Sequence, residues 1–434
     1  MYIFSISLTP LEEVTFLKKL ISILTISFII VNLFPNILKV IAKEPTTFAD
    51  SVVLMNATTG EILYSKNPDT AYPPASTTKV LTTLLTLENC KMTDIVTVSQ
   101  QAASTEGSSI YLIAGEQITV EDLLYGLNLQ SGNDCAVALA EHIGGSIENF
   151  SKMMNTRAKE LGCTSSNFVN PSGLYNINHK ASAKDIALIL KELVKHPEYY
   201  KIASTAKHVI KATNKNSNER IIWNKNKLVL PGSEYYYQYA KAGKTGYTKQ
   251  SQYSYVAVAE KDGETLISVL IHDSSGSFYK DTINLFNYGF SNFKTKTLFK
   301  KGDVLFQCTL LDNSTLPLVS EKAFHYTYNV NTPTECTYKL DYDLERLNST
   351  SIKKGDVVGK VILIRNSNVI GSIKLLSGVD HKPVKNASTI LTLDSNPSNF
   401  FLKVLPYFFF TYLGALIIFI LIRHLKRRIK YYIG

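Results

Sequence analysis

With 434 residues, 45% of them apolar and 19% charged, the chain is too long for one ordinary core and too apolar for disorder, so two folded domains with appendages are expected. The formal net charge of +10 is local: Arg423, Lys426, Arg427, Arg428 and Lys430 crowd the C-terminal end, which excludes a nucleic-acid reading of the basicity. Cys90, Cys135, Cys163, Cys308 and Cys336 form no CxxC pair and the histidines no HExxH, so neither a disulfide framework nor a zinc site is expected. No glycine-rich phosphate loop is present either, and we expect no cofactor and no metal.

In chain order, Lys18 and Lys19 precede the apolar run Leu20 to Phe34, and Val40, Ile41 and Ala42 offer compact residues for a signal peptidase. Residues 1–42 therefore read as a signal peptide or an N-terminal signal anchor, and the chain that follows as exported. "SVVLMNATTGEILYSKN" reads as two strands around a turn at Thr59 and Gly60. "KVLTTLLTLEN", "VEDLLYGLNL", "DCAVALAEHIGG", "ENFSKMMNTRAKELG" and "SAKDIALILKELVKH" carry apolar residues at three-to-four spacing, the period of helices. "YSYVAVAEKDGETLISVLIHD" is a second hairpin, turning at Asp262 and Gly263, and the amphipathic "SFYKDTINLFNYGFSNF" follows it. Strands at both ends with helices between predict one sheet assembled from distant parts of residues 43–293.

Residues 294–394 change to short alternating strands, the texture of a small β-sandwich. A polar join, 395–403, leads to "VLPYFFFTYLGALIIFILI", residues 404–422, which carries no charge and is long enough to cross a bilayer core of ~30 Å. The basic tail 423–434 then predicts a cytoplasmic C-terminus by the positive-inside rule, with the globular part on the extracellular face of the cell membrane.

The chemistry concentrates in three short stretches. In "PPASTTKVLT" Lys79 follows Ser76 by three residues, one helical turn, so the amine reaches the hydroxyl. A serine hydroxyl is a poor nucleophile until a base takes its proton, and Lys79 serves as that base only when neutral. Apolar neighbours and the like charge of Lys244 are expected to lower its pKa. The doublet alone carries little weight, because Ser204/Lys207, Ser277/Lys280, Ser291/Lys294 and Ser351/Lys354 share the spacing. Independent support comes from Ser131-Gly132-Asn133, at a junction between two helical patterns, and from Lys244-Thr245-Gly246, at the head of a strand. Each has a bland alternative, an N-cap turn for the first and a glycine kink for the second.

Together and in this order, the three stretches match the S-x-x-K, S-D-N and K-T-G set of penicillin-binding proteins and class A β-lactamases, with SGN in the middle place. The chain resembles the serine-type D-alanyl-D-alanine carboxypeptidases, the low-molecular-weight penicillin-binding proteins. The likeness runs from about Ser51 to Asp273 and includes "NPSGLYNINHKASAKDIALI". It implies an α/β transpeptidase-type fold, an antiparallel sheet flanked by helices plus a helical subdomain, followed by the β domain and a membrane-attached tail; the transmembrane helix expected at 404–422 departs from members anchored by an amphipathic tail. It implies an acyl-enzyme on Ser76, the peptidoglycan pentapeptide stem as substrate, and β-lactams as covalent inhibitors. Ser131 is expected to hydrogen-bond Lys79 and relay its proton to the leaving D-alanine, with Asn133 holding the substrate amide or the lysine. Lys244, permanently charged, and Thr245 are expected to hold the terminal carboxylate, Gly246 to let the substrate backbone approach, and the amides of Ser76 and Tyr247 to form the oxyanion hole. His179 is expected to be a structural loop histidine and Cys135 a small buried hydrophobe. A β-lactamase and an inactive wall-binding or penicillin-sensing protein are the alternatives.

Overall fold

The computed structural model describes residues 44–383 and, outside that range, only Ser22. The expected signal segment, the join at 395–403, the apolar run 404–422 and the basic tail lie outside the described residues. Among the described residues no helix is long and apolar enough to cross a membrane.

Two compact units divide the described chain. The first takes the residues up to Lys301 together with Lys322–Lys339 and Ile362–Ser372. Its centre is a five-stranded antiparallel sheet. Spatially, Ile62–Lys66 lies at one edge, followed by Ala49–Asn56, Glu264–Asp273, Gln252–Lys261 and, at the other edge, Ala240–Thr248. Ala49 pairs with Asp273 and Asn56 with Leu266, so the sheet joins the two ends of the unit, as the distribution of strand patterns predicts. Both expected hairpins form, with Gly60, Asp262 and Gly263 at positive φ in their turns. Two successive left-handed residues at Asp262 and Gly263 suit the right-handed twist of the flanking strands.

Why the central strands carry apolar residues on both faces follows from their two covers. Val53, Met55, Val256, Val258, Ile267 and Val269 pack with Val80, Leu81 and Leu84 of helix Lys79–Asn89 and with Ile186 and Leu190 of helix Ala183–Leu193. On the opposite face Val52, Leu54, Tyr255, Ala257 and Leu270 pack with Leu285, Phe286 and Phe290 of helix Phe278–Asn292. A strand buried on both faces loses the polar alternation of a half-exposed one. A separate core, built on Leu123, Leu127, Ala136 and Leu139, unites helix Val120–Tyr125 with helix Asn133–Gly144. This is the expected helical subdomain.

That subdomain's first helix does not run straight into the second. It widens into a π-turn over Gly126–Gln130 and stops at Ser131, whose φ of 64° is left-handed. The Gly132 N–H then reaches back to the Gly126 carbonyl at 3.0 Å. Single π-turns inside helices favour functional positions because they push one residue out of the regular ladder. Here the displaced residue is Ser131.

The second unit takes Gly302–Glu321, Leu340–Val361 and, of the described residues, 373–383. Its strands, Val304–Thr309 and Thr315–Ser320 among them, belong to an all-β sheet whose core includes Leu316, Leu318, Val361 and Leu375. Thr315–Ser320 is hydrogen-bonded on one side to Val304–Thr309 and on the other to the strand ending at Ser377.

Candidate active site

Ser76 sits in a 3-10 turn, Ala75–Thr78, that runs into helix Lys79–Asn89. The 3-10 turn repeats every three residues, so the side chains of Ser76 and Lys79 eclipse more closely than an α-turn allows. Lys79 Nζ lies 2.9 Å from Ser76 Oγ. It also lies 2.7 Å from Asn133 Oδ1 and 2.7 Å from the Ser172 carbonyl. Lys79 is completely buried, and burial, followed by the charge of Lys244, pushes its pKa well below the ordinary lysine value.

Asn133 is oriented by its other end. Its Nδ2 donates to the Glu106 carbonyl at 2.7 Å, which fixes Oδ1 toward Lys79. The next residue, Asp134, holds the loop that closes this side: its carboxylate accepts from the N–H groups of Ile110 and Leu112 and from Ser109 Oγ. Of the two expected partners for Asn133, the lysine is the one it touches.

One expectation is corrected by the geometry. Ser131 bonds Lys244, whose Nζ donates to Ser131 Oγ at 2.9 Å and to the Thr245 carbonyl at 2.7 Å; the partners of Lys79 are Ser76, Asn133 and Ser172. The left-handed turn at Ser131 aims its hydroxyl at the strand. Burial, with a smaller contribution from the charge of Lys225, lowers the pKa of Lys244 to about 7. Each of the two buried amines disfavours the charge of the other.

Gly246 is required, but for the protein's own backbone. A Cβ at this position stands 2.8 Å from the Ser76 nitrogen and 3.1 Å from the Pro74 carbonyl. The missing side chain lets strand Ala240–Thr248 press on the turn that carries Ser76, and Tyr247, 58% exposed, then faces outward and packs on Tyr253. This strand is an edge of the sheet.

Residues the sequence analysis passed over complete the site. The Ser172 carbonyl holds Lys79, and no side-chain motif signals a carbonyl. Gly173, at φ 80°, stands so close to Ala75 that an added Cβ lies 1.8 Å from its carbonyl oxygen. Lys225 donates to the Gln130 carbonyl at 3.1 Å and lines, with Ser108, Ser109, Gln130 and Arg220, a cavity of about 470 Å³ beside Ser131. His179 is structural, as expected. Its Nδ1 accepts from the Val169 N–H, so Nε2 carries the proton and donates to Thr78 Oγ1 at 2.9 Å; burial holds its pKa down to about 4. Cys135 is fully buried and its thiol is pushed well up.

A nucleophile, a buried neutral amine and a second amine across from them on a sheet edge define an active-site-serine acyl-transfer hydrolase of the penicillin-binding class. Comparison with known proteins gives the same answer. The D-alanyl-D-alanine carboxypeptidase family (Peptidase_S11) matches residues 39–275, and the C-terminal domain of penicillin-binding protein 5 matches residues 293–383. The chain belongs to the D-alanyl-D-alanine carboxypeptidase family and is a serine-type carboxypeptidase of that kind. It is 31% identical to D-alanyl-D-alanine carboxypeptidase DacF of Bacillus subtilis, over 84% of this chain and 95% of that one. Penicillin-binding protein 5 of Haemophilus influenzae superimposes with a TM-score of 0.65 at 30% identity, covering 78% of this chain and 98% of its own. A variant of the Streptomyces K15 DD-transpeptidase superimposes with a TM-score of 0.53 at 30% identity, over 57% of this chain and all of that one.

Proposed function

We propose that Ser76 attacks the carbonyl carbon of the penultimate D-alanine of a peptidoglycan stem peptide, that Lys79 takes its proton, and that the terminal D-alanine leaves before water resolves the ester. One observation carries this reading. Of the three partners of Lys79, two, Asn133 Oδ1 and the Ser172 carbonyl, can only accept. A neutral amine has two N–H bonds and one lone pair. With both N–H bonds committed to those acceptors, the lone pair faces Ser76, and the serine hydroxyl becomes the donor. The deprotonating geometry is thus present before substrate arrives.

Ser131 gives its hydroxyl proton to the leaving amine and is reprotonated by Lys244, from which it accepts; when water resolves the ester, Lys79 returns its proton to Ser76 and the proton released by the water restores Lys244. In its charged form Lys244, with Thr245, binds the terminal carboxylate, and the amides of Ser76 and Tyr247 receive the oxyanion, where one donor is worth ~3 kcal/mol. β-Lactams acylate the same serine.

Opposed ionisation states of two lysines give a bell-shaped pH profile. The rate of Ser76 acylation by free enzyme rises as Lys79 loses its proton and falls through about pH 7 as Lys244 loses its own. Lys244→Arg, always charged, is expected to move the falling limb at least two units upward. Acylation by penicillin, followed by mass spectrometry with the adduct located by peptide, makes the measurement. A falling limb unmoved by the substitution, or an adduct away from Ser76, overturns the assignment, and rapid drug turnover in place of a lasting adduct favours a β-lactamase.

The uncharged run 404–422 followed by the basic cluster from Arg423 supports a single-pass tether with the catalytic unit on the extracellular face. The full chain is expected to stay with membranes after an alkaline wash and a chain ending at Asn399 to be released. Release of both removes the tether from the reading.

A further inference from the structure

Helix Lys79–Asn89 and helix Asn133–Gly144 each begin at the active site and pack together. At their far ends stands a cluster that the mechanism does not use. Cys90 caps the first helix, His142 lies in the last turn of the second, and Asp94 belongs to the loop that leaves Cys90. One ligand atom from each, the thiol sulfur, an imidazole nitrogen and a carboxylate oxygen, all lie within 4.8 Å of one another.

We infer that Cys90, Asp94 and His142 form a binding site for a divalent transition ion, zinc by its donor set. One sulfur, one nitrogen and one oxygen donor make a borderline-soft set suited to zinc. A tetrahedral zinc needs neighbouring donors about 3.5 Å apart, which rotamer changes of about 1 Å supply. Charge favours occupancy: a thiolate and a carboxylate together neutralise a dication. Position favours it as well, because both helices present their C-terminal, negative ends to the site.

The loop is already held in shape. The Lys91 N–H donates to Asp94 Oδ2 at 2.8 Å. The Val120 N–H donates to the Asp94 carbonyl and the Glu121 N–H to that of Met92, at 2.9 and 3.0 Å. Half-buried Cys90 and Asp94 and exposed His142 leave an entry path and room for a water as fourth ligand. Binding releases the thiol proton to solvent. An ion here clasps the ends of the two helices that deliver Lys79 and Asn133. At 11 residues the first helix puts the ion about 16 Å from the chemistry, so its role is structural. Cys90 and His142 are 52 positions apart in the chain, which is why no spacing motif announced the site.

The test is a cobalt(II) titration of the chelator-stripped full chain. The expected result is one equivalent bound, with a near-ultraviolet thiolate-to-cobalt charge-transfer band that zinc(II) displaces. Cys90→Ser removes the band and His142→Ala weakens binding at least tenfold. Both variants are expected to acylate with penicillin at Ser76 at the parent rate, which certifies their folding independently of metal. No band in the parent, a band that survives Cys90→Ser, or one lost on Cys163→Ser instead overturns the site.

Discussion

Lys79→Met is expected to slow acylation of Ser76 by penicillin between ~10²- and ~10⁴-fold, the range that positioned general-base catalysis supplies. Methionine keeps the length and apolar packing of the buried stem, so the change isolates the loss of the amine. It leaves Asn133 Oδ1 and the Ser172 carbonyl without the donor that each meets at 2.7 Å; each such loss costs ~1–3 kcal/mol. The fold survives at a lower melting temperature, read by circular dichroism. What remains is the catalysis from the oxyanion amides and from binding, which does not depend on the amine. An acylation rate within a few-fold of the parent would mean that another group takes the proton, and the amine would then be only a structural donor. Ser76→Ala, which gives no adduct, sets the floor of the assay.

Gly173→Ala is expected to cost more than about 4 kcal/mol of stability and to impair acylation along with it. Two effects add. A φ of 80° strains any residue with a Cβ, typically by ~1–3 kcal/mol. The new carbon then lands 1.8 Å from the Ala75 carbonyl oxygen and 2.4 Å from its carbon, backbone atoms that cannot swing aside as a side-chain tip does. Ala75 is itself at φ 49° and precedes the nucleophile, so relief of the clash displaces Ser76. Gly162 supplies the control: its φ is 88°, but nothing lies within 4 Å of its Cβ position. Gly162→Ala is expected to show the strain alone. Thermal melts of both variants decide the question, and equal shifts would show that the close approach carries no energy.

How much of this was legible in the sequence depends on what kind of signal each feature leaves. The helix "KVLTTLLTLEN" is found at Lys79–Asn89 because its apolar residues repeat at the helical period. The hairpin at Asp262 and Gly263 was readable because left-handed residues are chemically restricted. Ser76, Lys79, Ser131, Asn133, Lys244 and Thr245 were found as types at spacings, and the fold brings them to one place. Which of them touch was not legible. The exchange of partners between Lys79 and Ser131 depends on the π-turn at Gly126–Gln130, a backbone irregularity with no side-chain signature. Ser172 contributes only a carbonyl, which every residue possesses. The charge state of Lys244 follows from its burial to 3% exposure, set by how the edge strand seats against the subdomain. Motifs name the reagents, while tertiary packing assigns their protonation.

The pairing of Ala49 with Asp273 also constrains how the molecule can be made. Strand Ala49–Asn56, whose edge-side neighbour Ile62–Lys66 forms at once, waits for a partner more than two hundred positions downstream, so a chain threaded out in order holds an apolar ribbon until the last hairpin arrives. Contacts of such long sequence separation make folding slow. On the proposed export route, a polypeptide built this way would pass through that slow interval on the far side of the membrane.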